Sequence, residues 1–309
     1  MIYCVLGPTA SGKSELASKL ASFLNAIIIN FDAFQVYKEL NKGTAKPSKE
    51  ELASAEYYLY DFKSITESYD VSLYQKDARE LIDRFKDKRN IILVGGTGLY
   101  LKAALYDYKF NEEEKMNPSY LEDVSNDELY QRLLVIDEED ALKIGKNNRK
   151  RLLRALYIYE THGKNKTELN RGGKDNLIYK DVKFIGINPD RTFLYEKIAL
   201  RVEKMFANGL KEEVDELFKK YDPNLRAFQA IGYKEFKNST NVESIKNEII
   251  LNTKHYAKRQ MTFFLHQFEN VSWYKSYLDA YNDIVGDVRL WAWLILEKLL
   301  KSLVLTKNI

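Results

Sequence analysis

The chain has 309 residues, of which 45% are hydrophobic and 30% charged, and its net charge at pH 7 is +3. This composition is that of a folded globular protein with room for a full α/β core and a smaller second unit, and it excludes a disordered chain. The single cysteine, Cys4, excludes a disulfide framework and suits a reducing cytoplasm, where we expect the protein to act. The first apolar run is short and lacks a basic leader, and no later run reaches the ~20 residues of a membrane span. We therefore expect neither a signal peptide nor a membrane contact.

Short apolar runs alternate with helical patterns over residues 1–110, which predicts βαβ units and a parallel sheet. Cys4 lies in the first of these runs, and we interpret it as a buried strand residue. The predicted strands, including two from later in the chain, are Ile2–Leu6, Ala26–Asn30, Asn90–Val94, Lys183–Ile187 and Val271–Tyr274.

Two further regions are predicted to be helical units. Roughly residues 111–181 are charged and helical, and we interpret them as a small inserted domain. A long helix over about Val242–Phe268 is followed by the last predicted strand and by an amphipathic tail over about 276–309. The predicted fold class is therefore α/β. A parallel sheet flanked by helices, over residues 1–110 and about 182–275, carries an inserted helical domain and a helical C-terminal part.

Charge is unevenly distributed within the predicted insert. Residues 111–140 contain eleven acidic side chains and two basic ones, whereas residues 143–171 contain nine Lys or Arg and two Glu. Such a reversal indicates a basic surface with a partner, for which nucleic acid is the natural candidate. A solvated helix face is the alternative interpretation.

A phosphate-binding loop, or P-loop, follows the first predicted strand and opens an amphipathic helix. Its glycines turn backbone N–H groups toward an anion, and the helix N-terminus adds partial positive charge. In such loops the lysine reaches the outer phosphate and the final hydroxyl can hold Mg²⁺. The residues that match this G-x-x-x-x-G-K-[ST] pattern are Gly7, Pro8, Thr9, Ala10, Ser11, Gly12, Lys13 and Ser14.

Two features argue against ATP as the ligand of this loop. The predicted strand Asn90–Val94 continues into Gly95-Gly96-Thr97-Gly98, where an NTPase of this class carries a Mg²⁺-binding Asp. The acidic residue that does follow a strand is Asp32. Its place at the carboxyl end of a parallel strand, beside the P-loop, is where open α/β sheets carry their chemistry.

Several ordered motifs together resemble the tRNA dimethylallyltransferase family, also called tRNA isopentenyltransferases. GTAKP and AIGYKE have no general structural role, so their occurrence together is specific, and the likeness extends over about residues 3–268. The motifs are Gly7–Ser14 (GPTASGKS), Asp32–Tyr37 (DAFQVY), Gly43–Pro47 (GTAKP), Val94–Tyr100 (VGGTGLY), Arg151–Leu156 (RLLRAL), Arg191–Val214, Ala227–Glu235 (AFQAIGYKE) and Tyr256–Thr262 (YAKRQMT).

The resemblance implies an enzyme whose P-loop binds dimethylallyl diphosphate. The five-carbon group would move to N6 of the adenosine just 3′ of the tRNA anticodon, and pyrophosphate would leave. It implies Mg²⁺ as cofactor, with Ser14 as its protein ligand, and the tRNA anticodon stem-loop as partner. We expect a monomer.

Three catalytic roles are carried over from the family. Asp32 corresponds to the base that takes the proton of the attacking amine, Thr97 to the threonine at the reacting centre, and Arg201 to the arginine that stabilises the leaving pyrophosphate. Each has a structural alternative. Asp32 could cap a helix, Thr97 could be a helix N-cap, and Arg201 could lie on the exposed face of an amphipathic helix.

The resemblance also implies three tRNA-binding segments. One meets the target base, one lies in the basic insert, and one lies in the long helix near Tyr256; for the basic residues, solvated surface is the alternative. The implied contacts are Asp32, Ala33, Phe34, Gln35 and Thr97; Lys150, Arg151, Leu152, Leu153 and Arg154; and Lys258, Arg259 and Gln260.

Four positions depart from the family pattern and bear on how the tRNA is held. They are Ala33 where Ser is usual, Tyr57 and Tyr58 where a His pair is usual, and Leu265 where Arg is usual. The segment 111–150 is also short. The tail after about Tyr281 matches nothing in the family. We interpret it as a packed amphipathic helix, with an oligomer or membrane-surface contact as the alternative.

Other functions stay open at this point. A nucleotide or small-metabolite kinase would place ATP in the P-loop and Mg²⁺ on Asp32. A prenyltransferase acting on free adenine nucleotides would use the same loop. Neither would need the basic insert or the Lys258–Gln260 segment. A non-catalytic tRNA-binding relative would not need Lys13, Ser14, Asp32 and Arg201.

Overall fold

The computed structural model of the protein describes residues 1–44, 46–47, 52–53, 55–108, 119–121, 123–165, 167–168 and 176–306, with side chains except at 291–292 and 295–306. The chain divides into two compact units. One comprises Met1–Leu105 and Tyr179–Ile309, and the other Tyr106–Ile178. The predicted insert had been placed at about 111–181.

The first unit is built on a six-stranded sheet in the order β3-β2-β4-β1-β5-β6, in which every pair is parallel. This confirms the predicted α/β class, and each of the five predicted strands is present. The strands are β1 Ile2–Leu6, β2 Ile27–Asn30, β3 Glu56–Tyr58, β4 Ile91–Val94, β5 Val182–Ile187 and β6 Val271–Tyr274.

The short edge strand β3 was not predicted. It has three residues, pairs with β2 and is only partly buried. Such a short, half-exposed strand needs neither a long apolar run nor a full alternating pattern, so its sequence gives no clear strand signal. Tyr57 and Tyr58, which stand where the family usually has a His pair, lie in this strand. The aromatic ring of Tyr57 packs against the core and contacts Tyr60 edge to face.

Helices cover the sheet. The helices of the first unit are α1 Lys13–Leu24, α2 Val71–Phe85, α3 Gly98–Leu105, α7 Arg191–Ala207, α8 Leu210–Lys220, α9 Val242–Gln267 and α10 Tyr277–Thr306, and those of the second are α4 Asn126–Ile136, α5 Glu138–Ile144 and α6 Arg149–His162. Short 3-10 helices occur at Ser119–Leu121, Arg226–Gln229 and Lys234–Lys237.

Strand β1 lies at the centre of the sheet, between β4 and β5. Its five residues are all buried, as parallel strands covered on both faces require. Cys4 is fully buried, as predicted, and burial raises the pKa of its thiol. The P-loop leaves the carboxyl end of this strand, so the sheet places the loop beside the end of β4, with the end of β2 one strand further along.

The second unit has a small hydrophobic core of its own. Leu129, Leu133 and Leu156 pack there with Leu152, which is fully buried. The predicted contact between Leu152 and tRNA is therefore wrong, because that side chain faces the interior of the helical unit. Its neighbours Lys150, Arg151 and Arg154 are exposed on the same helix, α6, and Leu153 is partly buried.

The C-terminal helix α10 is not a separate unit. It belongs to the first unit, and Ala280 and Ile284 pack with Leu16 and Leu20 of α1 in the core. The tail predicted over about 276–309 is thus helical over Tyr277–Thr306, and its first turns pack against α1. Within the described residues, no helix is long and apolar enough to cross a membrane.

This packing predicts that the start of α10 contributes to folding. Ile284 is 1% exposed, whereas Leu290, further along the same helix, is 56% exposed. Ile284→Ala should lower the free energy of unfolding by about 2–4 kcal/mol because it leaves a cavity against α1. Leu290→Ala should change it by less than about 0.5 kcal/mol. Urea unfolding of the two variants measures both values, and equal effects would contradict this assignment.

Candidate active site

The P-loop forms the floor of a cavity of about 380 Å³. Lys13, in the first turn of α1, folds back so that its Nζ donates a hydrogen bond to the carbonyl of Pro8 at 2.6 Å. Burial, together with the nearby guanidinium of Arg201, lowers the pKa of Lys13 to about 7, although the carboxylate of Asp32 opposes the shift. The ammonium group of Lys13 is thus poorly solvated, and a bound anion would stabilise its protonated form.

Asp32 follows β2 and lines the same cavity. Its Oδ1 accepts the backbone N–H groups of Phe34 at 3.0 Å and Gln35 at 3.4 Å. Burial raises the pKa of Asp32, against the effect of these two hydrogen bonds and of Lys13 and Arg201. One carboxylate oxygen therefore shapes its own loop, while the group also belongs to the cavity wall. The helix-cap alternative is wrong, since residues 33–44 contain turns and no helix.

Hydrogen bonds of the Asn30 side chain stabilise the loop that carries Asp32. This fully buried side chain accepts the backbone N–H of Asp32 at 2.9 Å and donates to the carbonyl of Leu59 at 3.0 Å. Sequence reasoning missed this role. A polar residue at the end of a buried apolar strand was the available signal, because a buried amide needs partners.

Thr97 links the Asp32 loop to the end of β4. Its Oγ1 accepts the backbone N–H of Ala33 at 3.0 Å, and its own N–H donates to the carbonyl of Phe31 at 3.1 Å. Its carbonyl also accepts the N–H of Tyr100, in the first turn of α3, at 2.9 Å. The threonine therefore starts the helix and lies beside the residue after Asp32.

Arg201 projects from α7 into the same region. It lines the P-loop cavity with Asp32, and its charge couples to both Asp32 and Lys13. Burial lowers the pKa of its guanidinium, while Asp32 opposes that shift. The alternative of a residue on an exposed helix face is wrong, since the side chain is half-buried within the site.

A second cavity, of about 260 Å³, adjoins the first. Thr9, Asp32, Arg201 and Tyr256 line both. Much of its remaining wall is apolar, with Phe34 and Arg259 also present. The apolar side chains that line it are Ile198, Val202, Met205, Ala230, Ile231 and Ile249. The carboxylate of Asp32 thus borders both the cavity that contains the P-loop and the adjoining, less polar cavity.

Four predicted tRNA-binding residues of the first unit, Gln35, Lys258, Arg259 and Gln260, differ in exposure and in hydrogen-bond partners. Lys258 and Arg259 are exposed on α9. Gln35 donates from its side-chain amide to the carbonyl of Thr44 at 3.0 Å. Gln260 is only 4% exposed and contacts backbone groups of the protein itself. Leu265, the departure near this segment, is exposed.

The GTAKP and AIGYKE motifs, whose purpose could not be assigned from the sequence, pack on each other. The N–H of Gly43 donates to the hydroxyl of Tyr233 at 3.1 Å, across 190 residues of sequence. A Cβ at position 43 would lie 2.4 Å from Cε2 of that ring, so only glycine permits the approach. The Tyr233 hydroxyl in turn donates to Glu213 at 2.6 Å. Ala45 of the first motif lies outside the described residues.

Sequence reasoning missed the cavity-lining role of the segment that contains AIGYKE. Gln229, Ala230, Ile231 and Lys234, around AIGYKE, line the smaller cavity. Since Thr44 follows Gly43 and accepts from Gln35, the packed pair also supports the segment after Asp32.

Known proteins resemble this chain over most of its length. A family model described as IPP transferase matches residues 35–267. The chain belongs to the IPP transferase family. Curated relatives named tRNA dimethylallyltransferase include one from Malacoplasma penetrans, 40% identical over 291 residues, which cover 91% of this chain and 94% of that protein. Another, from Anoxybacillus flavithermus, is 41% identical over 281 residues, covering 88% and 89%.

Solved structures of the family share the fold of this IPP transferase family member. A tRNA isopentenylpyrophosphate transferase from Staphylococcus epidermidis aligns with a TM-score of 0.67 at 33% identity, covering 93% of this chain and 98% of that one. A eukaryotic dimethylallyltransferase acting on tRNA aligns with a TM-score of 0.77 at 25% identity, covering 91% and 75%. The resemblance inferred from the motifs is thereby confirmed.

The Gly43–Tyr233 contact predicts a measurable loss when its hydroxyl is removed. Tyr233→Phe leaves the buried N–H of Gly43 and the carboxylate of Glu213 without this partner. It should therefore lower the free energy of unfolding by about 1–3 kcal/mol. Tyr159→Phe, at a position 38% exposed, serves as control and should cost less than about 0.5 kcal/mol. Indistinguishable unfolding curves for the two variants would show that the contact carries no stability.

Proposed function

We propose that this protein transfers a dimethylallyl group from dimethylallyl diphosphate to N6 of the adenosine just 3′ of the anticodon in tRNA. The observation that supports this most directly is the carboxylate of Asp32, which lines both the P-loop cavity and the adjoining, less polar one. A base at that junction stands between a bound diphosphate and a bound nucleobase. The names of the curated relatives point to the same reaction.

The donor is proposed to be a prenyl diphosphate and not ATP. β4 is followed by Gly95-Gly96, where P-loop NTPases carry the Asp that holds Mg²⁺. A diphosphate still suits the loop, because Lys13 and the first turn of α1 face the cavity and Ser11 is buried there. Among the described residues the Ser11 hydroxyl has no hydrogen-bond partner, so it is available to a phosphate oxygen.

In the proposed reaction, N6 of the adenosine attacks C1 of the dimethylallyl group. The new C–N bond forms as the C1–O bond to diphosphate breaks, and Asp32 takes the proton that N6 loses. Lys13 and Arg201 stabilise the negative charge that develops on the departing pyrophosphate. The pKa of Lys13, about 7 without an anion, rises when a diphosphate binds, because opposite charge favours the protonated amine.

Mg²⁺ is proposed as cofactor, and the residues present fit it. Ser14 is exposed at the start of α1 and lines the P-loop cavity with Glu15 and Asp32. Within the described part of the chain, no cluster of three or more His, Cys, Asp or Glu could hold a metal. Mg²⁺ prefers few protein oxygens plus phosphate oxygens, so Ser14 and the diphosphate would hold it. When bound, it would neutralise phosphate charge.

The proposed tRNA contacts are the exposed basic residues of two helices. Lys150, Arg151 and Arg154 lie on α6, and Lys258 and Arg259 on α9. Basic side chains of this kind bind the phosphate backbone and orient the RNA, while polar groups near Asp32 meet an extruded base. Arg259 also lines the smaller cavity, which connects the two functions.

The function is tested by mass spectrometry of nucleosides from bulk tRNA after incubation with the protein, Mg²⁺ and dimethylallyl diphosphate. We expect a prenylated adenosine that is absent when any component is left out. Efficient hydrolysis of ATP without tRNA, with no modified adenosine, would instead favour a kinase-like enzyme. Prenylation of free AMP but not of tRNA would favour an enzyme for free nucleotides.

Asp32→Asn should lower kcat by about 10²–10⁴-fold, because it keeps the shape of the side chain and removes the proton acceptor. In the wild type the ionised carboxylate is the active form and its pKa is raised by burial. Activity should therefore fall as the pH drops through a value above the usual range for Asp. Single-turnover rates across pH, measured on both proteins, check this. Rates near wild type would refute the assignment, and recovery at high Mg²⁺ would make Asp32 a metal ligand.

Reversing charge at Arg151 and Arg154 together should weaken tRNA binding by at least about tenfold and reduce its dependence on salt concentration. The affinity for dimethylallyl diphosphate should change by less than about twofold. Lys143→Glu is the control, since that residue is exposed in the same helical unit and pairs with Glu139. Filter binding over a salt series measures these affinities. An unchanged salt slope would show that the two arginines are only solvated surface.

A further inference from the structure

Gln260 holds two backbone groups from distant parts of the chain. Its Oε1 accepts the N–H of Thr9 at 2.8 Å, across 251 residues of sequence, and its Nε2 donates to the carbonyl of Gly96 at 2.9 Å. The orientation of the amide is fixed by these partners, because a backbone N–H only donates and a carbonyl only accepts. The side chain is 4% exposed. Both ends of the amide are therefore satisfied within the protein.

The two groups that Gln260 holds belong to the two halves of the candidate active site. Thr9 is in the P-loop, and Gly96 is in the loop after β4. The next residue, Thr97, accepts the N–H of Ala33, which directly follows Asp32. A path of three hydrogen bonds thus connects the phosphate-binding loop to the loop of the carboxylate, and Gln260 supplies two of them.

The close approach at Gly96 makes this path specific. A Cβ at that position would lie 2.8 Å from Nε2 of Gln260 and 2.8 Å from Oδ2 of Asp32. Tyr256, one turn earlier on α9, adds a second donor, since its hydroxyl lies 3.0 Å from the same Gly96 carbonyl. Two side chains of α9, those of Tyr256 and Gln260, therefore donate to the Gly96 carbonyl, close to the Asp32 carboxylate.

We infer that Gln260 is a positioning residue, which fixes the P-loop relative to Asp32, and that it is not an RNA contact. The two residues before it, Lys258 and Arg259, are exposed and available to tRNA, whereas the Gln260 amide is occupied on both sides. This inference rests on the proposed function only for its consequence in catalysis. The effect of this link on diphosphate binding can be measured without tRNA and without prenyl transfer.

The expected consequence of losing the link is a looser P-loop and a misaligned base. Without the amide, the N–H of Thr9 and the carbonyl of Gly96 both lose a buried partner, so the loop shape that cradles a diphosphate becomes one of several. A bound prenyl diphosphate would then be held less firmly relative to Asp32. Small displacements of reacting groups lower rates strongly.

The test compares Gln260→Met with Lys258→Met on the same helix. Calorimetry measures the binding of inorganic pyrophosphate with Mg²⁺ and the binding of tRNA. Steady-state kinetics measure kcat. For Gln260→Met we expect pyrophosphate Kd to rise about tenfold and kcat to fall about tenfold, with tRNA Kd within about twofold of wild type. For Lys258→Met we expect the opposite split, with weaker tRNA binding and unchanged pyrophosphate binding.

Tyr256→Phe provides a second, milder test. It leaves both backbone hydrogen bonds of Gln260 and removes the additional donor to Gly96, together with the contacts of the same hydroxyl with the side chains of Thr97 and Gln260. Its pyrophosphate Kd should rise about threefold, and the double variant with Gln260→Met should show non-additive effects because the two donors share one acceptor. This variant carries the test alone if Gln260→Met fails to fold.

Two results would overturn the inference. One is weaker tRNA binding in Gln260→Met with pyrophosphate binding unchanged, which would restore the RNA contact. The other is pyrophosphate binding unchanged in a folded Gln260→Met and in Tyr256→Phe. Since pyrophosphate binding needs no tRNA, these outcomes are separate from failure of the proposed prenyl transfer.

Discussion

The candidate site depends on one carboxylate that is buried beside two cations. Asp32, Lys13 and Arg201 couple to one another within the wall of the P-loop cavity. Burial dominates at each of them, since it raises the pKa of the acid and lowers the pKa of both bases. Repulsion from Arg201 adds to the shift of Lys13, whereas the attraction between Asp32 and the two cations limits all three shifts. None of the three charges is well solvated without a ligand. A diphosphate would supply the anion that the two cations lack, and a nearby amine would supply the proton that the carboxylate can accept.

Such a cluster requires a rigid frame, because unlike charges out of water gain stability only at correct distances. The parallel sheet supplies the frame by ending β1, β2 and β4 side by side. The loops after these strands are then joined to one another by side-chain amides and hydroxyls. Asn30 holds the loop after β2 to the β3 side, Thr97 holds it to the loop after β4, and Gln260 holds that loop to the P-loop.

The parts of this arrangement that follow from local pattern were predictable. The five longer strands have apolar runs, the P-loop has its own spacing, and Asp32 could be singled out as the acid at a strand end. β3 has too few residues for a pattern, so the fold was predicted without its edge. The burial of Leu152 and Gln260 was missed for a different reason. Each lies in a basic segment whose exposed members do suit RNA, and only the helix register separates the buried residue from its neighbours.

Contacts between segments far apart in sequence had no local signal of their own. Gly43 and Tyr233 gain meaning only from each other, since the glycine is required by a ring 190 residues away. The same holds for Gly96, which is required by Gln260 and Asp32 together. A short motif without a local structural role is thus itself informative. It marks a place where one segment is shaped to fit another, and in this protein each such place lines one of the two cavities that Asp32 lines.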